Sequence, residues 1–400
     1  MTLTLPVIDE KLLEQLIDFR RDLHMYPEVS GEEYETSQKI QQQLASHGIP
    51  YRTGFAKTGV LGIIEGGKPG PTVALRADID ALPITEKTNL GFSSKKEGTM
   101  HACGHDAHTT MLLGAGILLN ERKAELSGTV LLVFQPAEEA SPNGGAQPMM
   151  DDGVFAEYEP DVIFGQHVWP DLPVGQIGIR DKEMMGATDR FKVVINGSGG
   201  HASMPHQTND AIIAANHVVT MLQTIVSRNV NPVDAAVVTI GRIEGGYRYN
   251  VIADSVSLEG SIRTYKKQVK EVVKKRFHEV VENAAKAMGA TAEIDYIDGY
   301  EATINTQEWA KVVRSCAQHT LNSEQATPEV DPSLGGEDFS RFLHKYPGAF
   351  FWLGSAIEGR DSQKPLHDPN FEFNEKALPI GVKMLVEVSM KALEKLQIEK

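Results

Sequence analysis

Thr129-Val130-Leu131-Leu132-Val133-Phe134-Gln135-Pro136-Ala137-Glu138-Glu139 opens on an unbroken apolar run and closes on two acids. The run lacks polar alternation, so it reads as a strand covered on both faces, the kind found in α/β sheets. Pro136 cannot continue a central strand, which sets the acidic pair in a loop at the strand's carboxyl end. Similar apolar runs occupy 60–64, 72–76, 162–165, 176–179 and 349–353. Amphipathic stretches at 8–24 and 31–47 and an apolar helix at 109–120 separate some of them, giving an α/β domain around a central mixed sheet. Ligands of such sheets gather beyond the carboxyl ends of the strands.

Residues with metal-binding chemistry cluster just there. Asp78 and Asp80 follow the run 72–76, Glu138 and Glu139 follow 129–134, His167 follows 162–165, and His367 comes after 349–353. The densest group is Met100-His101-Ala102-Cys103-Gly104-His105-Asp106-Ala107-His108. With Gly104 at a bend, Cys103 and His105 can point a thiolate and an imidazole at one ion of borderline softness, such as zinc or manganese. Asp106 and His108 then serve as supports that orient rings or neutralise charge. The plainer reading is a polar turn opening the helix 109–120, with Asp106 near its N-terminus; both can hold together. Cys103, His105, Glu139, His167 and His367 suffice for two ions sharing a bridging ligand, a centre suited to hydrolysing an unactivated bond. Glu138 is the expected general base, passing a proton from water to the leaving nitrogen. In isolation a Glu-Glu pair is a solvated surface feature; Pro136 and the preceding strand argue against that here. Cys103 with histidines nearby also admits a cysteine nucleophile, which chelation would separate from metal catalysis.

From 185 to 298 the pattern changes to strand, helix, two strands, helix, strand. This order predicts a ferredoxin-like α+β satellite domain inserted at 185–298 into a catalytic domain of 1–184 and 299–400, with a C-terminal helix at 375–396 packing back on it.

Composition sets bounds on partners. Of 400 residues, 41% are hydrophobic and 23% charged, enough for two cored domains. A net charge of -15 disfavours nucleic acid and anionic membranes. There is no run of apolar residues long enough to span a bilayer and no basic-apolar leader, and only Cys103 and Cys316 are present, so a cytoplasmic location is expected.

Taken together, Met100 to His108, Arg76 to Pro83, Gln135 to Glu139, Gly200-His201-Ala202, Gly335-Gly336-Glu337-Asp338-Phe339 and Leu366-His367 resemble the metal-dependent amidohydrolases that include hippurate hydrolases, N-acyl-amino-acid amidohydrolases and plant auxin-conjugate hydrolases. The resemblance implies a binuclear centre of zinc, manganese, cobalt or nickel, and a satellite domain that closes over substrate. It carries over Cys103, His105, Glu139, His167 and His367 as ligands and Glu138 as acid/base. Relatives in the wider carboxypeptidase clan place a His where this chain has Asp78 and use an Asp bridge; here the Cys103 loop supplies the bridge, leaving Asp78, Asp80 and Asp106 as supports.

In the satellite domain, His201 and Asn250 are candidates for donating to a developing oxyanion, and Arg263 for gripping a substrate carboxylate. Plain polarity for His201 and a cross-strand pair for Arg263 remain open. Glu337 and Asp338 either cap a helix or face the site. The substrate expected is a small N-acyl amino acid or dipeptide, and analogy suggests a homodimer through the satellite domain. Two other readings stand: a dipeptidase or carboxypeptidase of the same clan, separable by parallel substrate assays, and a metal- or peptide-binding protein, excluded if Glu138→Ala keeps metal and loses turnover.

Overall fold

A computed structural model describes residues 7–399 and divides the chain into two compact units. Unit 1 comprises 1–184, 304–331 and 338–400; unit 2 comprises 185–303 and 332–337. Among the described residues no helix is long and apolar enough to cross a membrane.

Unit 1 is built on a seven-stranded mixed sheet. At its centre the buried strand Ser127–Gln135 pairs parallel with Lys68–Asp78 and antiparallel with Gly59–Glu65. Lys68–Asp78 in turn pairs parallel with Val162–Trp169, and that strand pairs parallel with Gly348–Gly354. Helix His105–Glu121 is apolar almost all round and buried along nearly its whole length. It packs against helices Glu10–Met25 and Leu378–Glu399. Gly116 permits its close approach to the sheet, because a Cβ there would lie 2.3 Å from Leu132 Cδ1.

Three features depart from the sequence reading. His167 lies on a strand, since Val162–Trp169 extends past Gly165 and pairs with Gly348–Gly354 as far as Trp169↔Gly354. The apolar helix starts at His105, so the last part of the His-rich cluster, His105 to His108, forms its first turn. Helices Ala146–Asp151 and Gln307–Leu321 and the edge strand Tyr51–Phe55 have no counterpart in the sequence reading, whereas helix Phe339–Lys345 begins where Gly335 to Phe339 offered a helix start.

Unit 2 is a four-stranded antiparallel sheet with a hydrophobic core of its own. Its strands in chain order are Ala187–Asn196, Ala236–Gly245, Ser255–Thr264 and Thr291–Asp298. In space the second lies beside the third, the third beside the first and the first beside the fourth, which is the ferredoxin-like order. Helices Ala211–Asn229 and Lys267–Ala287 cover one face, and a short ribbon pairs His201 with Val251.

Candidate metal centre

Strand ends and one helix N-terminus bring the candidate donors together. Cys103 sits in the turn before helix His105–Glu121, and Gly104 takes φ 82°, a left-handed conformation that favours glycine. His105 is the first helical residue. Asp78 ends one strand, Glu138 and Glu139 follow another, and His167 lies near the carboxyl end of a third. His367 adopts φ 68° in a loop whose backbone N–H donates to the Ala102 carbonyl at 2.9 Å. A histidine held there is a strained feature of the sort found at functional sites.

Two overlapping donor sets result. Donor atoms of Cys103, His105 and His167 lie within 4.8 Å of one another, and so do those of Cys103, Glu139 and His367. Cys103 is common to both. Glu138 belongs to a third group with His105 and Glu139 and is itself buried.

The lone pairs are arranged for metal binding. His105 Nδ1 donates to the Asp80 carbonyl at 2.9 Å and lies 3.2 Å from its Oδ1. Its Nε2 is buried with no hydrogen-bond partner among the described residues. His167 Nδ1 donates to the Val168 carbonyl at 2.7 Å, leaving Nε2 facing Cys103 Sγ at 3.4 Å. His367 Nε2 approaches Glu139 Oε1 to 3.0 Å, yet that oxygen has no partner of hydrogen-bonding geometry. Two acceptors converging this way suit a shared cation. His108 is committed elsewhere: Nδ1 donates to Asp78 Oδ1 at 2.6 Å and Nε2 accepts the Val168 N–H at 2.8 Å. Both its ring nitrogens are thus engaged, and it has no free lone pair to offer.

Electrostatics point the same way. Burial opposes a charge on His105, but Asp78, Asp80 and Glu139 outweigh it and raise its pKa to about 10. Burial, followed by the charges of Glu139, Glu138 and Asp78, pushes the Cys103 thiol well above its ordinary value. Burial and the neighbouring His108 keep His167 neutral. The site is thus rich in negative charge and wants cations, and the residues present fit two divalent ions.

Of the expected supports, Asp78 and Asp80 touch His108 and His105. Asp106 turns away: its Oδ2 lies 2.8 Å from His24 Nδ1 and 2.7 Å from Arg20 Nε, anchoring the helix start. Asp338 does not cap its helix with its side chain; it accepts hydrogen bonds from Arg76, Gln135, Gly145 and Ala146. Arg76, a charge closing an otherwise apolar run, was the sequence signal for that network.

Within unit 2, His201 lies on the short ribbon and Asn250 just precedes its partner strand Val251–Ile252, with the Ala202 N–H donating to the Asn250 carbonyl. His201 Nδ1 lies 2.8 Å from Ser203 Oγ, and Asn250 Oδ1 is buried without a partner among the described residues. Arg263 is half-buried, and burial lowers its pKa. In unit 1, a groove of about 860 Å³ beside helices Gln307–Leu321 and Leu378–Glu399 includes Lys68 and Ser127 at the amino ends of two strands and is lined by none of the candidate donors.

The sequence profile of peptidase family M20/M25/M40 matches residues 74–391. N-acetyl-L-cysteine deacetylase of Bacillus subtilis is 43% identical over 97% of this chain and 91% of its own. Thermostable carboxypeptidase 1 of Saccharolobus solfataricus is 39% identical over 92% of each chain. Among solved structures, a dinuclear metal-binding M20 peptidase from Bacillus subtilis superposes with a TM-score of 0.84 at 38% identity, covering 96% of this chain and 99% of that one.

Proposed function

The chain belongs to peptidase family M20/M25/M40 and is a metal-dependent amide hydrolase, and from that premise we propose that it cleaves N-acyl amino acids into a carboxylate and a free amino acid. The observation that carries the reading is the Cys103 thiol common to two donor sets, with Glu138 beside them.

We assign Cys103, His105, Glu139, His167 and His367 as ligands. Two divalent ions held there would polarise the scissile carbonyl and lower the pKa of a water toward neutrality. A thiolate, three imidazoles and a carboxylate suit zinc, manganese, cobalt or nickel. Glu138 takes the water's proton and returns it to the leaving nitrogen. Asp80 and the Val168 carbonyl hold the His105 and His167 rings with Nε2 facing inward. His201 and Asn250 are proposed as donors to the oxyanion, and Arg263 as the carboxylate grip, on the chemistry of their side chains.

The 43% identical deacetylase supports an N-acyl amino acid as substrate. A carboxypeptidase is the second reading, because a 39% identical relative carries that name. We also propose a cytoplasmic location, where Cys103 stays reduced, and a homodimer through unit 2, whose helix Ala211–Asn229 exposes Ile212, Ile213 and Met221.

The test pairs metal analysis with turnover of N-acetyl, N-benzoyl and indole-acyl amino acids beside dipeptides. Faster turnover of N-acyl amino acids supports the first reading and faster turnover of dipeptides the second. Glu138→Gln should keep both ions and lose about 10²–10⁴-fold in kcat; full activity in that variant, or activity surviving metal removal, would overturn the mechanism.

A further inference from the structure

We propose that Asp338 is a positioning residue that clamps both ends of the acid-bearing loop 136–144 and thereby sets the place of Glu138 and Glu139. The inference rests on the metallohydrolase reading and adds a residue to it. Asp338 is fully buried and lies some two hundred positions away from the loop.

One carboxylate gathers the two ends. Gln135 Nε2, just before the loop, donates to Oδ1 at 2.9 Å and to Oδ2 at 2.8 Å. The N–H groups of Gly145 and Ala146, just after it, donate to Oδ2 at 2.9 and 3.0 Å. Arg76 completes the clamp: its Nη2 donates to Asp338 Oδ1 at 2.8 Å and its Nε to Gln135 Oε1 at 2.8 Å. The backbone N–H of Asp338 also points at Glu138 Oε1, 3.4 Å away. Side chain and main chain of one residue therefore face the loop's ends and its catalytic acid.

The local sequence leaves little slack. A Cβ at Gly144 would sit 2.3 Å from Asp338 Oδ2, and one at Gly145 would sit 1.8 Å from the Pro136 carbonyl oxygen. Only glycine lets the returning chain close on the carboxylate. Inside the loop, the Glu139 N–H donates to Asp80 Oδ2 at 3.0 Å, so the loop is also tied to the residue that orients His105. The groups that hydrogen-bond the Asp338 carboxylate, from Arg76, Gln135, Gly145 and Ala146, are all donors, so an amide at this position would aim its own N–H groups at some of them.

The experiment compares wild type with Asp338→Asn, Gln135→Met and, as a control for stability alone, Val313→Ala in the core of helix Gln307–Leu321. Amide hydrogen exchange over 136–146 is measured in metal-free and metal-loaded protein, and kcat and KM are scaled to bound metal. In Asp338→Asn the loop should exchange at least about tenfold faster in both forms, and kcat per loaded site should fall about 10²-fold with KM within about threefold, as expected when reacting groups are misplaced by about 1 Å. Gln135→Met removes one leg and should show both effects in smaller measure, which keeps the test decisive if Asp338→Asn does not fold. Val313→Ala should lower the melting temperature and leave both readouts unchanged. Unchanged loop exchange, or unchanged kcat per loaded site in Asp338→Asn and Gln135→Met, overturns the proposal. The metal-free exchange needs no substrate, so failure of the clamp is distinguishable from failure of the amide-hydrolase reading.

Discussion

Asp106→Asn tests how the ligand-bearing helix is anchored. Asp106 is fully buried, and its Oδ2 lies 2.7 Å from Nε of Arg20, itself buried beneath Phe92 and Phe373. The contact is one of charge, since the Arg20 Nε–H has no partner in hydrogen-bonding geometry. Burial works against the Asp106 carboxylate, but Arg20 and His24 outweigh it and hold its pKa below the usual range. Removing one member of a buried pair costs about 3–5 kcal/mol, because the other charge stays desolvated. Glu375 Oε1 remains 3.4 Å from Arg20 Nη1, and an asparagine carbonyl can still accept from His24, which places the cost near the lower end, about 3 kcal/mol. The melting temperature should fall by about 6–12 °C. Calorimetry of wild type, Asp106→Asn, Arg20→Met and the double variant gives the coupling, expected at about 2 kcal/mol. A loss below about 1 kcal/mol in Asp106→Asn, or additive single effects, would refute this account of the anchor.

Glu86 sets an acid limit on stability. Burial opposes its charge, but hydrogen bonds from His24, Thr88 and the Ser94 N–H hold its pKa down to about 2, below its ordinary 4.5. Its carboxylate therefore stabilises the fold fully above pH 4.5, and that contribution is lost as pH falls toward 2. Melting temperatures from pH 5 to 3 should decline less steeply in Glu86→Gln than in wild type; parallel curves would rule the contribution out. At Gly104, where φ is 82° and a Cβ would meet Val168 Cγ2 at 2.5 Å, alanine should destabilise the fold by about 1–3 kcal/mol. It should also weaken metal retention, measured by equilibrium dialysis, while an unchanged affinity would show that the turn can shift without moving Cys103.

Much of the architecture was legible because covered strands announce themselves as unbroken apolar runs, as 129–134 does. The ferredoxin-like order of unit 2 followed from alternating helical and strand periodicity over more than a hundred residues. Polar residues that belong to strands were harder to place. His167 reads as loop in the sequence because Gln166 and His167 break the apolar run, and only pairing with Gly348–Gly354 reveals the strand. Helix Gln307–Leu321 hid behind a mixed composition, while its buried side, Trp309, Ala310, Val313, Cys316 and Ala317, repays folding only against a neighbour. At the site, residue type and position near the carboxyl ends of the apolar runs singled out the candidate donors that the fold brings together. The direction of Asp106 and the clamp on Asp338 depend on partners far away in the chain, and the charge of Arg76 in an apolar run is the one local hint of the second.

Anomalous diffraction from crystals of the metal-loaded protein, collected at the edge of the bound metal, bears most directly on the two-ion centre. The account predicts two peaks per chain flanking Cys103 Sγ, one beside His105 and His167 and the other beside Glu139 and His367. A single peak, or peaks that do not share the Cys103 sulfur, would contradict it.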